Sequence, residues 1–324
     1  MKTALKVVAG LLGLVLLLAG GGLAYLSLAF PKVGPAPDLK VDATPERLAR
    51  GAYLARNVCS CVDCHSTRDW TKFSGPVVPG TEGKGGERFD RAMGFPGEFY
   101  ASNITPAGVG GWTDGELARA LTGGVTHDGR ALFPLMPYPL YGEALCQEDV
   151  SALVAFVRTL KPLENLLPAA QLDFPMNFIV KTIPADRPRP PCPDKKNEVS
   201  YGKYLATVGG CIECHTRSDK GQRQPGMDCA GGREFHLPGL GTVRSANLTP
   251  SDSGIGLWEK DFFVDKFRDY RKATLTKLNP GSVQTIMPWT LYAGMTDDDL
   301  GALYAYLKTV TPVQNEVKAW TAGP

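Results

Sequence analysis

Two short runs in the chain hold the residue types that do chemistry: Cys61-Val62-Asp63-Cys64-His65 and Cys211-Ile212-Glu213-Cys214-His215. Thiols three positions apart share one turn of helix, where each can form a thioether to a vinyl group of haem. The imidazole that follows then reaches the iron. Cys-x-x-Cys-His is the attachment signature of a c-type haem. A redox dithiol or a zinc site uses the same cysteine spacing. Zinc asks for two further thiolate or imidazole ligands in a closed set, and a histidine directly after both pairs favours haem instead. The expectation is two covalent haems c, attached through Cys61, Cys64, Cys211 and Cys214, with His65 and His215 on the irons.

A second axial ligand must come from elsewhere. Met136, in Leu135-Met136-Pro137-Tyr138, lies 71 residues after His65, and Met287, in Ile286-Met287-Pro288-Trp289, lies 72 after His215. A thioether sulfur is a soft ligand that favours ferrous iron, and the proline beside each methionine stiffens the turn that presents it. Methionine more often fills a core. Met93, Met176, Met227 and Met295 have no counterpart at an equivalent position, so Met136 and Met287 are the expected ligands.

These matches belong to a longer internal repeat. Gly51-Ala52-Tyr53-Leu54-Ala55, the first haem motif, Asn103-Ile104-Thr105-Pro106, Trp112, Met136-Pro137 and the stretch 148–160 form one copy. Gly202-Lys203-Tyr204-Leu205-Ala206, the second motif, Asn247-Leu248-Thr249-Pro250, Trp258, Met287-Pro288 and the stretch 297–307 follow in the same order. Both copies read as helical. Thr44 caps a helix opened by Pro45, and Thr113 with Glu116 forms a capping box. Val150, Leu153, Val154 and Val157 recur at helical spacing, as do Leu300, Leu303, Tyr304 and Leu307. Residues 43–163 and 198–314 are read as two domains, joined by a proline-rich surface linker over 164–197.

Lys2 and Lys6 precede an uncharged stretch from Val7 to Phe30. At helical rise it spans ~36 Å, enough for a bilayer core of about 30 Å. Residues 1–34 are read as a single-pass anchor with the rest exported, although a cleaved signal sequence begins the same way. The net charge of +2 is spread over the chain, so nucleic-acid binding is not expected. Cys59, Cys146, Cys192 and Cys229 remain, and in an oxidising compartment an even remainder suggests disulfides. Cys59–Cys146 and Cys192–Cys229 is the simplest pairing. His127 and His236 are not at equivalent positions; His236 could in principle ligate a haem, but a surface or propionate-facing role is the expectation. The two Asn-x-Thr-Pro turns either face a haem edge or are simply well-made turns; Trp112 and Trp258 pack near a haem or in a core.

Asn103-Ile104-Thr105-Pro106, Trp112-Thr113-Asp114, Gly124-Val125, Asp128-Gly129 and Met136-Pro137-Tyr138 resemble bacterial class I-like c-type cytochromes. They look like the cytochrome subunits of membrane-bound alcohol and gluconate dehydrogenases, over residues 45–312. That family usually has three haem domains, and this chain has two motifs. The resemblance implies an all-α cytochrome c fold in each repeat; with the internal repeat and the apolar stretch, the expectation is two tandem class I-like cytochrome c domains preceded by one N-terminal transmembrane helix. It also implies electron transfer on the periplasmic side of the bacterial inner membrane. The electrons would pass between a dehydrogenase or quinol-oxidising complex and an oxidase or soluble cytochrome. A dihaem peroxidase, which needs an open iron position, is the enzymatic alternative; a wire inside a larger respiratory assembly is a third.

Overall fold

Helix starts obey their capping residues. The Arg47 amide donates to Thr44 Oγ1 at 3.3 Å ahead of Pro45, and Thr113 and Glu116 make the reciprocal capping box. The computed structural model describes residues 1–219, 221–271, 275–279 and 281–323. Its helices are α1 (Lys2–Ala29), α2 (Pro45–Tyr53), α3 (Cys61–Cys64), α4 (Pro106–Val109), α5 (Asp114–Gly123), α6 (Tyr138–Ala144) and α7 (Gln147–Arg158). After α8 (Met176–Ile179) come α9 (Glu198–Val208), α10 (Cys211–Cys214), α11 (Lys260–Arg268), α12 (Trp289–Tyr292) and α13 (Asp297–Leu307).

The molecule is mostly helical, yet the all-α expectation is too strict. Arg88–Phe89 (β1), Gly97–Tyr100 (β2) and Gln171–Leu172 (β3) form one small antiparallel sheet. Ser218–Asp219 (β4) pairs with Gln222–Arg223 (β5), and Glu234–Leu237 (β6), Gly241–Arg244 (β7) and Trp320–Ala322 (β8) make a third sheet. Strands of two to four residues are too short for a period-two pattern to register in a sequence. The linker is correspondingly less free than its prolines suggest: β3 pairs with β2, and Val180 is buried.

The elements after residue 197 repeat the packing of those before it. In the first set α2 crosses α7 so closely that a Cβ on Gly51 would sit 1.9 Å from the Ala152 carbonyl oxygen. In the second, a Cβ on Gly202 would meet the Ala302 oxygen of α13 at the same 1.9 Å. Only glycine permits this approach. The repeat shifts by one residue between Gly51 and Cys61, because a π turn over Leu54–Val58 absorbs one residue that the second set lacks.

The two sets meet across a reciprocal polar joint. Tyr53 donates to Asp299 Oδ2 at 2.6 Å, and Tyr204, its counterpart, donates to Asp149. Arg50 closes the joint on one side with two 2.8 Å bonds to Asp149. Tyr201 stands at the equivalent place on the other side, 3.3 Å from Asp299. Around the joint lies one continuous apolar core including Leu54, Val58, Leu153, Tyr201, Leu205, Leu300 and Leu303.

The expected disulfides are not formed. Cys146 bonds Cys192, with Cα atoms 5.0 Å apart, and Cys59 and Cys229 stay free. Cys146 sits at the N-terminus of α7, where the linker passes, whereas Cys59 is held two residues from Cys61 at the end of the π turn. The bridge closes a loop of 46 residues. Replacing both cysteines with serine is expected to lower stability by about 2–4 kcal/mol, measured by urea unfolding.

Candidate functional site

Each Cys-x-x-Cys run forms the single helical turn its spacing predicts, α3 and α10. Each turn starts from a left-handed residue, Ser60 at φ 50° and Gly210 at φ 71°, which aims the chain sharply into the helix. Cys61, Cys64, Cys211 and Cys214 are all unpaired thiols. Burial pushes Cys61, Cys64 and Cys211 up to about 12, so these are neutral thiols. A redox dithiol has the opposite property, a thiol lowered toward thiolate.

The histidines are held alike. His65 Nδ1 lies 2.7 Å from the Ser102 carbonyl oxygen, and His215 Nδ1 lies 2.7 Å from that of Ala246. A carbonyl accepts, so Nδ1 carries the proton and Nε2 keeps its lone pair for a metal, the usual way a protein orients a ligating imidazole. Desolvation lowers both imidazoles below the ordinary histidine range, which keeps them neutral. The amide after each site repeats as well: Gly85 donates to His65 O at 2.9 Å and Gly231 to His215 O at 2.7 Å.

The Asn-x-Thr-Pro turns fix the carbonyls that orient the histidines. Asn103 Oδ1 accepts from the Thr105 amide at 2.9 Å and from its hydroxyl at 2.7 Å, while Asn103 Nδ2 donates to Leu163 O at 2.7 Å. Asn247 does the same with Thr249 (2.9 and 2.8 Å) and Val313 O (2.8 Å). Ser102 and Ala246 stand immediately before these locked turns. Sequence reasoning missed both residues, because a backbone acceptor leaves no side-chain signature; the duplicated turn was the available signal.

Met136 and Met287 are half-buried against the core in matching turns, with the Tyr138 amide on Met136 O at 2.7 Å and the Trp289 amide on Met287 O at 2.8 Å. The second turn has extra support from the first set of elements. Ser74 Oγ donates to Met287 O at 2.6 Å, and Gln284, almost fully buried, accepts from the Ser74 amide at 2.8 Å and donates to Lys72 O at 2.9 Å. Arg68, paired with Asp63 at 3.0 Å, holds the same loop through the Ser74 and Gly75 carbonyls. The loop that follows the first Cys-x-x-Cys-His therefore braces the turn bearing Met287.

The other candidates resolve simply. His236 is exposed on β6, with Nδ1 3.1 Å from Thr242 Oγ1. His127 packs on Trp112 with tilted rings, centres 4.9 Å apart, whereas Trp258 packs on Phe262 and Phe263.

The residues fit a covalent haem at two places: a pair of neutral thiols on one turn, followed by an imidazole whose remaining nitrogen is free for iron. The cytochrome c family model matches residues 199–311. A diheme cytochrome c-type protein of Cereibacter sphaeroides is 30% identical over 315 residues, covering 93% of this chain and 98% of that one. The cytochrome c subunit of the quinone alcohol dehydrogenase of Gluconacetobacter polyoxogenes is 29% identical over 301 residues, covering 87% of this chain and 60% of the subunit. The fructose dehydrogenase cytochrome subunit of Gluconobacter japonicus is 29% identical over 302 residues, covering 88% and 57%. This chain thus spans about 60% of the length of the dehydrogenase subunits it matches. With a relative matched over nearly its whole length, and with this donor set, the chain belongs to the c-type cytochromes, haem proteins of electron transport.

Proposed function

We propose that the chain carries two covalent haems c in two tandem cytochrome domains, 43–163 and 198–314. In this reading it passes single electrons on the periplasmic side of the inner membrane, from a dehydrogenase or quinol-oxidising complex to a terminal acceptor. The observation that carries the reading is the matched pair of histidines, each with Nδ1 2.7 Å from a backbone carbonyl directly after two neutral thiols. Bound haem supplies a one-electron iron centre. The chain's own residues do the rest. Cys61, Cys64, Cys211 and Cys214 tether the macrocycles. His65 and His215 would offer Nε2 to the iron, and Met136 and Met287 would offer their sulfurs. With a methionine offered to each iron, neither site would keep a position open for peroxide, and of the relatives named above two are dehydrogenase cytochrome subunits and one is a diheme cytochrome c-type protein.

Met136→Leu and Met287→Leu test the ligand assignment. Each is expected to remove half of the weak iron–methionine absorption band and to lower one of two reduction potentials by on the order of 100 mV. A potentiometric titration followed by absorbance reads both effects. An unchanged band and unchanged potentials in either variant would remove that methionine from the iron.

A further inference from the structure

The linker segment 173–180 packs beside α1 and carries an exposed apolar surface. Phe174 is 72% exposed and Ile179 43% exposed, with Met176 and Phe178 half-buried beside them. Large apolar side chains grouped on a surface mark a contact with something else. The segment is fastened at both ends. Arg91 Nη2 pairs with Asp173 Oδ1 at 2.5 Å, and Val180 is buried.

Its position follows from α1. Helix α8 and the 3-10 turn Val180–Thr182 pack against α1. Apart from Gly13, the residues of α1 that are partly covered cluster at its outer end: Leu23, Leu26, Ser27 and Ala29, continuing into Phe30. Beyond α1 the chain does not swing free. The Gly34 amide donates to Asp186 Oδ2 at 2.7 Å, and the Val41 amide to Asp114 Oδ2 at 2.9 Å. Tyr25 and Phe30 meet edge to face, and Lys32 Nζ lies 4.9 Å from the Phe30 ring centre and 3.4 Å from Tyr25 Oη. An aromatic pair with a lysine reaching over it is the composition of a helix end at the membrane–water boundary. Whatever packs beside Leu23 to Phe30 therefore lies at that boundary too.

We propose that residues 174–179 form a lipid-contacting foot, inserted into the membrane interface beside α1 and setting the tilt of the exported part over the bilayer. Phe174 and Ile179 enter the acyl–headgroup boundary, where their apolar surface leaves water. The inference rests on α1 being retained as a membrane anchor. Photo-crosslinking in native membranes tests it, with p-benzoylphenylalanine placed at residue 174, 179, 12 or 257 of the full chain and adducts read by mass spectrometry. Lipid adducts are expected at 174 and 179 and at 12 within α1, and not at 257, where Leu257 is 82% exposed on the second set. Adducts at 12 without adducts at 174 and 179 would overturn the foot and leave the anchor standing. No adduct at 12 would overturn the anchor and the foot together, and equal adducts at 257 would show unspecific labelling and overturn the foot.

Discussion

Asp149→Ala is expected to destabilise the protein by about 3–5 kcal/mol. The Asp149 side chain is 8% exposed and carries three bonds: two from Arg50 at 2.8 Å and one from Tyr204 in the other helical set. Removing the carboxylate leaves a guanidinium that is only 24% exposed without its partner, and strands the Tyr204 hydroxyl. The cost is that of an uncompensated buried charge, and it is distinct from the net worth of the ion pair. The triple variant Arg50→Met, Asp149→Leu and Tyr204→Phe is therefore expected to recover most of the loss, since a buried polar network replaced by apolar residues is often neutral. Urea unfolding of the two variants reads the difference. A single variant within about 1 kcal/mol of wild type would show that water reaches the joint and screens it.

Gly51→Ala and Gly202→Ala are each expected to cost about 3 kcal/mol, the upper end of the usual penalty for overpacking. In both, the new methyl would fall 1.9 Å from a backbone oxygen, of Ala152 and Ala302 respectively. A flexible side chain could move aside; a helical carbonyl moves only with its helix. Thermal unfolding should drop by about 6–12 °C in each. Gly111→Ala is the control, because a Cβ there meets nothing within 4 Å. Equal losses at 51 and 202 are what a duplicated helix crossing requires. A loss at one position alone would mean that the two crossings differ in how tightly they are built.

Much of this architecture was legible because it rests on local chemistry. Thr44, Pro45, Thr113 and Glu116 act within one helical turn, and each Cys-x-x-Cys run forms the single turn that its spacing predicts. The repeat singled out Met136 and Met287, whose turns do match in the structure. What stayed hidden was long-range. The Cys146–Cys192 bridge depends on the path of the linker past α7, which no spacing reveals. The brace from Ser74 and Gln284 to the Met287 turn joins residues more than 200 positions apart. The tyrosine–aspartate joint left a faint trace, since Tyr53 and Tyr204 share a place in the repeat, as do Asp149 and Asp299. A polar residue on an otherwise apolar helix face asks for a buried partner.

The proposed electron transfer requires two covalent haems on one polypeptide. Intact mass of the denatured protein, purified from membranes, tests it directly, because denaturation releases any haem that is not bonded to sulfur. Two haem additions per chain are expected, falling to one when Cys211 and Cys214 are both replaced by alanine. One addition in the wild type, or none, would contradict the account.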